Sequence, residues 1–281
     1  MRAPDGSISF YFFDIDDNLL FLPTRLYLWN AETQQEMAIS SGEFADVQGA
    51  LGRSGNWHAW AVRPETFRDF RDQPGVAAIE QTFVRDLKAA VESGKTWQGP
   101  SWPLLVHAAA NQRPIACVTA RGHEPGTIEA GLAELVKLGL LAAVPPIVGL
   151  YAVSNPGVLK ALGVTDPHMT VPSIKKIAIR DAVARGLVQY GAEPPHRFGM
   201  SDDDPNNVTL AISAMRDCKV KYPDKRFFVI NTNREEFVKL EIFPMAHPVT
   251  AAATGAGLLR DDPRPPPSPM SAGAVLGHGA S

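Results

Sequence analysis

The stretch covering residues 7–18, SISFYFFDIDDN, restricts the fold more than any other part of the chain. Residues 8–13 are apolar apart from Ser9, and the run ends in Asp14, Asp16 and Asp17. An apolar run without alternation reads as a strand buried on both faces. Carboxylates crowded at the end of such a strand repel one another and lose hydration. They persist where a cation, a hydrogen-bond cradle or a catalytic task compensates. The remaining features of the chain bear on which of these applies.

A chain of 281 residues is long enough for one large core, or for a core with a smaller insert. Cys117 and Cys218 stand in no CxxC or Cys/His ligand spacing, which points to a reducing compartment. The first residues lack a signal-peptide core, and no run approaches the roughly 18 apolar residues of a membrane helix. The expectation is a soluble, cytoplasmic protein that does not engage a membrane. A formal charge of −3, from 27 basic and 30 acidic residues, draws in neither nucleic acid nor an anionic surface. Any anionic substrate must therefore be held locally.

Pro23 and the glycines at 42, 49, 52 and 55 break the period after the first strand, and Pro23 points to a tight turn followed by an irregular or hairpin segment. Helical spacing returns at Phe67 and Phe70, then at Phe83, Leu87 and Val91. Ser101 is placed to cap a helix that starts with Trp102 and Pro103. From Pro114 strands alternate with helices: strands at 115–119, 147–153, 196–200 and 226–230, with helices around 128–138, 173–187 and 208–218. Gly139 is a plausible helix stop, and 154–172 reads as a loop. This alternation predicts an α/β fold, a Rossmann-like doubly wound parallel sheet with helices on both faces. From Pro244 onward Ala, Gly, Pro and Ser dominate, and 244–281 is expected to be disordered.

Four polar clusters fall at predicted strand ends or helix starts: Asp14 to Asn18, Thr119 to His123, Lys175-Lys176, and Ser201 to Asn206. In an open parallel sheet the C-terminal strand ends share one edge, where ligands bind. The order of these clusters over residues 7–232 resembles the haloacid dehalogenase (HAD) superfamily. All four of its motifs occur in order, with Asn18 in place of the usual Thr or Val.

The resemblance implies a Mg²⁺-dependent phosphatase acting on a small phosphorylated molecule. Asp14 would be the nucleophile, forming an aspartyl-phosphate, and Asp16 the proton donor and acceptor. An Asp at 16 separates this pattern from the ion pumps and the dehalogenases of the superfamily. Thr119 would hold a phosphate oxygen. Lys175 or Lys176 would neutralise Asp14 and the phosphoryl group. The metal ligands would be Asp14, the main-chain carbonyl of Asp16, and Asp202 or Asp203. Arg121 and His123 are close enough in sequence to touch substrate, although Arg121 can equally brace its loop. The core would comprise 1–21 and 106–243, with residues 22–105 forming a small, mainly helical cap.

Plainer readings exist for each cluster. An EF-hand loop is opposed by Leu19 at the glycine position and Arg25 at the terminal Glu position. Asp204 is better suited to capping a helix than to binding metal. Trp57, Trp60, Trp97 and Trp102 fit the small core of an insert better than a base-stacking surface. The histidines show no ligand spacing. Two alternatives share the core: a phosphotransferase or polynucleotide-end phosphatase, which the lack of basic runs disfavours, and a non-catalytic binding protein.

Overall fold

A strand that is apolar on both faces belongs in the middle of a covered sheet, and the first strand occupies that place. The computed structural model describes residues 2–233 and 237–244. In chain order the strands are β1 (Ser9–Phe13), β2 (Leu26–Asn30), β3 (Glu36–Ile39), β4 (Trp60–Ala61), β5 (Ile115–Thr119), β6 (Ile147–Ala152), β7 (Arg197–Asp202), β8 (Arg226–Asn231) and β9 (Val238–Ile242). The α-helices are α1 (Ser41–Val47), α2 (Thr82–Glu92), α3 (Trp102–Ala110), α4 (Pro125–Lys137), α5 (Pro156–Ala161), α6 (Val171–Tyr190) and α7 (Pro205–Lys221).

The main sheet runs β6-β5-β1-β7-β8-β9. Every pairing in it is parallel except that of β8 with β9. Phe10 and Phe12 of β1 join a core that includes residues of α6 and α7. Phe13 joins a second core with residues of α2, α3 and α4. Helices thus cover both faces, as the alternation of strands and helices predicts. After β1 the chain builds β5 and β6 on one side, then crosses to β7 and β8 on the other. The C-terminal end of β1 therefore lies at the topological switch point, where the flanking connections diverge and leave a crevice.

Several local features depart from the sequence reading. Residues 22–105 hold helical segments, as expected, among them α1, α2 and 3₁₀ turns, but also strands that the sequence reading did not place. Their centre is a three-stranded antiparallel sheet, β3-β2-β4, with the short helix α1 and 3₁₀ turns. Its own small core contains Leu26, Leu28 and Ile39, packed by Phe44, Trp57, Trp60 and Phe70. Helix α2 and the pair Trp97 and Trp102 pack into the main core instead. Only two of the four tryptophans thus serve the insert. The segment around Phe67 and Phe70 is 3₁₀ rather than α, with a kink at Phe67. Strand β9 escapes the sequence reading because this edge strand, VKLEI, is exposed over its first three residues and shows no apolar alternation that separates a buried face from an open one.

Smaller differences concern caps. Helix α6 starts two residues earlier than Ser173, because Thr170 accepts the hydrogen bond from the Ser173 amide. Residues 154–172 include α5, capped by Asn155. Asp204 caps α7 by accepting from the Asn206 amide, as expected. Gly139 follows α4 with φ +73°, the left-handed stop that glycine supplies. Both cysteines are buried and free. Among the described residues no helix is long and apolar enough to cross a membrane. Apart from Pro244, the region expected to be disordered lies outside the described residues.

Candidate active site

Parallel pairing sets the site. Phe13 is in register with Cys117 of β5 and with Ser201 of β7, so the residues that follow each strand emerge on one edge. The Asp14 amide donates to the Ser201 carbonyl at 3.0 Å, continuing the ladder one step beyond the strand. Asp14 and Asp202 are both buried there. Lys175 reaches them from α6. Its Nζ donates to Asp202 Oδ2 at 2.9 Å and stands 3.1 Å from Asp14 Oδ1. The second contact is an ion pair without hydrogen-bond alignment, so Asp14 Oδ1 is buried with no directed donor.

Lys176 is excluded from this cluster. Successive residues on a helix point about 100° apart, and its Nζ bonds Ser213 Oγ at 2.8 Å and pairs with Asp217 at 3.0 Å. A signal for this choice is present in the sequence. Lys175 shares the i, i+4, i+8 row of buried Ile179 and Val183, whereas Lys176 precedes Arg180 on a row that is not buried.

Electrostatics follow from this crowding. Burial raises the Asp14 carboxyl well above the usual range. Lys175 opposes the rise, while Asp202, Asp203 and Asp16 reinforce it. For Lys175 burial acts downward, but Asp14 and Asp202 outweigh it and hold the ammonium protonated well beyond its usual range. Burial and the neighbouring Asp202 charge push Asp203 up to about 7. Asp14, Asp202 and Asp203 each offer a carboxylate oxygen, and these atoms lie within 4.8 Å of one another. The set is all hard oxygen, so the residues present fit a small divalent cation such as Mg²⁺. Asp202 is held in place by the Asp204 amide and the Asn207 side chain, both donating to Oδ1 at 3.1 Å.

Asp16 stands apart from the carboxylate cluster. Arg121 Nε donates to its Oδ2 at 2.8 Å and Nη2 to its Oδ1 at 2.6 Å. Arg121 is itself fully buried, with its amide donating to Thr119 Oγ1 at 3.2 Å. Of the two readings of Arg121, bracing is the one seen: its buried guanidinium is turned inward onto Asp16. His123 is likewise no substrate contact. It is fully buried 5.7 Å from the Phe83 ring, and burial, with the nearby Arg121 charge, pushes its imidazole down to about 3. Thr119 is buried at the end of β5, next to the strand that carries Asp14.

Asn18, the departure from the resembling pattern, is the hub of the turn. Its Nδ2 donates to the Asp14 carbonyl at 2.8 Å, to the Ser201 carbonyl at 3.2 Å and to Ser201 Oγ at 3.0 Å. Its Oδ1 accepts from Ser101 Oγ at 2.8 Å and Thr232 Oγ1 at 2.9 Å. The Ser101 hydroxyl thus serves Asn18 rather than capping α3. Gly99 makes this approach possible, since a Cβ there would lie 2.4 Å from the Asn18 carbonyl oxygen. Ser101, Ser201 and Thr232 escape sequence reading because isolated hydroxyl residues carry no pattern. Replacing Asn18 by Ala should destabilise the protein by about 3 kcal/mol, because a buried polar group left without a partner costs about 1–3 kcal/mol. Urea denaturation measures this, and an unchanged midpoint would refute the hub role.

The raised Asp203 carboxyl also predicts a pH effect. Between the unfolded carboxylate value near 4 and the folded value of about 7, the folded state binds more protons than the unfolded state. Stability should thus fall as pH rises through about 7. Melting with a chelator present should give a lower midpoint at pH about 8 than at pH about 6. The opposite slope would sink this assignment.

The sequence matches no family model, and comparison with curated proteins and with solved structures also gives no match.

Proposed function

We propose that the protein is a Mg²⁺-dependent phosphatase that hydrolyses a phosphate monoester through an aspartyl-phosphate on Asp14. The observation that carries this reading is the convergence of Asp14, Lys175, Asp202 and Asp203 at the switch point. Asp16 stands two residues from the attacking carboxylate. The order of motifs that resembles the HAD superfamily points the same way.

An Asp14 oxygen attacks phosphorus, the ester P–O bond breaks, and Asp16 gives its proton to the departing oxygen. Water then attacks the aspartyl-phosphate. Asp16 takes its proton, and the P–O bond to Asp14 breaks, releasing phosphate and restoring the carboxylate. Lys175 neutralises charge on Asp14 and the phosphoryl oxygens. Thr119 is suited to hold one of those oxygens. Asp14, Asp202 and Asp203 would hold Mg²⁺, which when bound supplies charge neutralisation between the carboxylates and the phosphoryl group. The insert covers the adjacent edge and is the natural seat of substrate choice.

The test is phosphate release from an aryl phosphate with Mg²⁺ and with a chelator, extended to phosphorylated metabolites and phosphorylated DNA ends. Mg²⁺-dependent release supports the reading, and preference for DNA ends would favour the polynucleotide alternative. One observation favours a second reading, a non-catalytic binding protein: Arg121 occupies both oxygens of Asp16. That reading requires Mg²⁺ binding by calorimetry with no turnover across the same panel.

A further inference from the structure

We infer that Arg121 is a positioning residue that couples the seating of the insert to the aim of Asp16. The inference rests on the phosphatase reading above and adds a residue to it.

A guanidinium meets a carboxylate through two parallel N–H donors in one plane, so a bidentate pair fixes the carboxylate's rotation as well as its distance. Arg121 makes that pair with Asp16 at 2.8 and 2.6 Å. Its own position comes from the insert side. Nη2 donates to Thr24 Oγ1 at 3.0 Å, and the Thr24 hydroxyl donates to Asp86 Oδ2 of α2 at 2.6 Å. The guanidinium carbon lies 4.6 Å from the Phe70 ring centroid and 5.0 Å from that of Phe83. The backbone is tied in the same way. The Gly122 amide donates to the Phe70 carbonyl at 2.8 Å, and the Ser154 amide to the Arg121 carbonyl at 3.2 Å.

Asp16 remains partly accessible, with its side chain 18% exposed, while the Arg121 side chain is wholly covered. The partly open carboxylate is therefore oriented by a cation that substrate does not reach. Thr24, Phe70 and Arg71 belong to the segment inserted between β1 and β5: Thr24 meets Arg121, Arg71 meets Gly122 and Phe70 meets both. A shift of the insert moves Thr24 and Phe70, hence the guanidinium, hence the plane of the Asp16 carboxylate. The insert then acts on proton transfer as well as on access.

The test compares Arg121→Lys and Thr24→Val with wild type in Mg²⁺. Lysine keeps the charge but not the fork, and valine keeps the shape but not the hydrogen bond. Two esters are used. The para-nitrophenyl group leaves without a proton, whereas an alkyl alcohol needs one from Asp16. Loss of aim should lower kcat/KM for the alkyl ester at least about tenfold more than for the nitrophenyl ester. Arg121→Lys should show the larger effect. Thermal midpoints establish that both variants are folded at the assay temperature. Equal losses on both esters in an active enzyme would overturn the positioning role alone and leave Arg121 as a structural staple. A wild-type protein inert toward both esters with Mg²⁺ would overturn the phosphatase reading and this inference with it.

Discussion

Replacing Asp14 by Asn should lower phosphate release by at least about a thousandfold, the scale on which loss of an attacking group is felt. The same substitution should leave the thermal midpoint of the metal-free protein unchanged or raised. Burial, together with the charges of Asp202, Asp203 and Asp16, makes the ionised form of Asp14 costly despite Lys175. A neutral amide of the same shape removes that cost, while Lys175 keeps Asp202 as its partner at 2.9 Å. Sites built for chemistry commonly sacrifice stability in this way. Steady-state phosphate release and calorimetry on the same samples test both halves. A variant retaining a tenth of wild-type activity would end the mechanism. A clear drop in melting temperature would show that the carboxylate stabilises the fold.

Lys175→Met should have the opposite effect on stability. Methionine keeps the unbranched stem, one atom shorter, but leaves two buried carboxylates, Asp14 and Asp202, without their cation. Removing one partner of a buried ion pair costs about 3–5 kcal/mol. Activity should fall at least about a hundredfold, since a charge placed where the phosphoryl oxygens gather is lost. The stability deficit should shrink on acidification, as the raised Asp14 carboxyl takes up a proton and no longer needs a counter-charge. Chemical denaturation at neutral and at mildly acidic pH measures this. A deficit that is flat with pH would mean that packing, not charge, is what Lys175 supplies. Lys176→Met serves as the contrast. Its ammonium is on the partly exposed α6–α7 side with Ser213 and Asp217, where such pairs are worth about 0–1 kcal/mol.

Much of this arrangement was legible because it depends on burial on both faces of a sheet. The apolar runs of β1, β5 and β8 can be satisfied only between two helical layers, and the stripes of α2, α4 and α7 provide those layers. The insert was not legible. Strands of two and four residues, such as β4 and the partly exposed β3, carry too few apolar side chains to reveal a period. Its antiparallel pairing is set by contacts between β2 and both neighbours. For a related reason the sequence left Arg121 open between touching substrate and bracing its loop, and gave no sign that His123 is buried. Proximity along the chain to Thr119 says nothing of which way a side chain turns, and here both turn under the insert.

By itself the sequence determined the layered α/β core and the four polar clusters, three after strands and one, Lys175-Lys176, near a helix start. Period and apolar content are local properties, and parallel strands share one C-terminal edge. Tertiary structure alone decided how those clusters are used. It joined Lys175, rather than Lys176, to Asp14 and Asp202, and made Asn18 the centre of five hydrogen bonds, four of them to distant segments. It also locked Asp16 to Arg121, separated by 105 residues. Ion pairs and hydrogen bonds depend on distances of about 3 Å and on direction, and such distances between remote residues exist only once the sheet and its insert have closed around them.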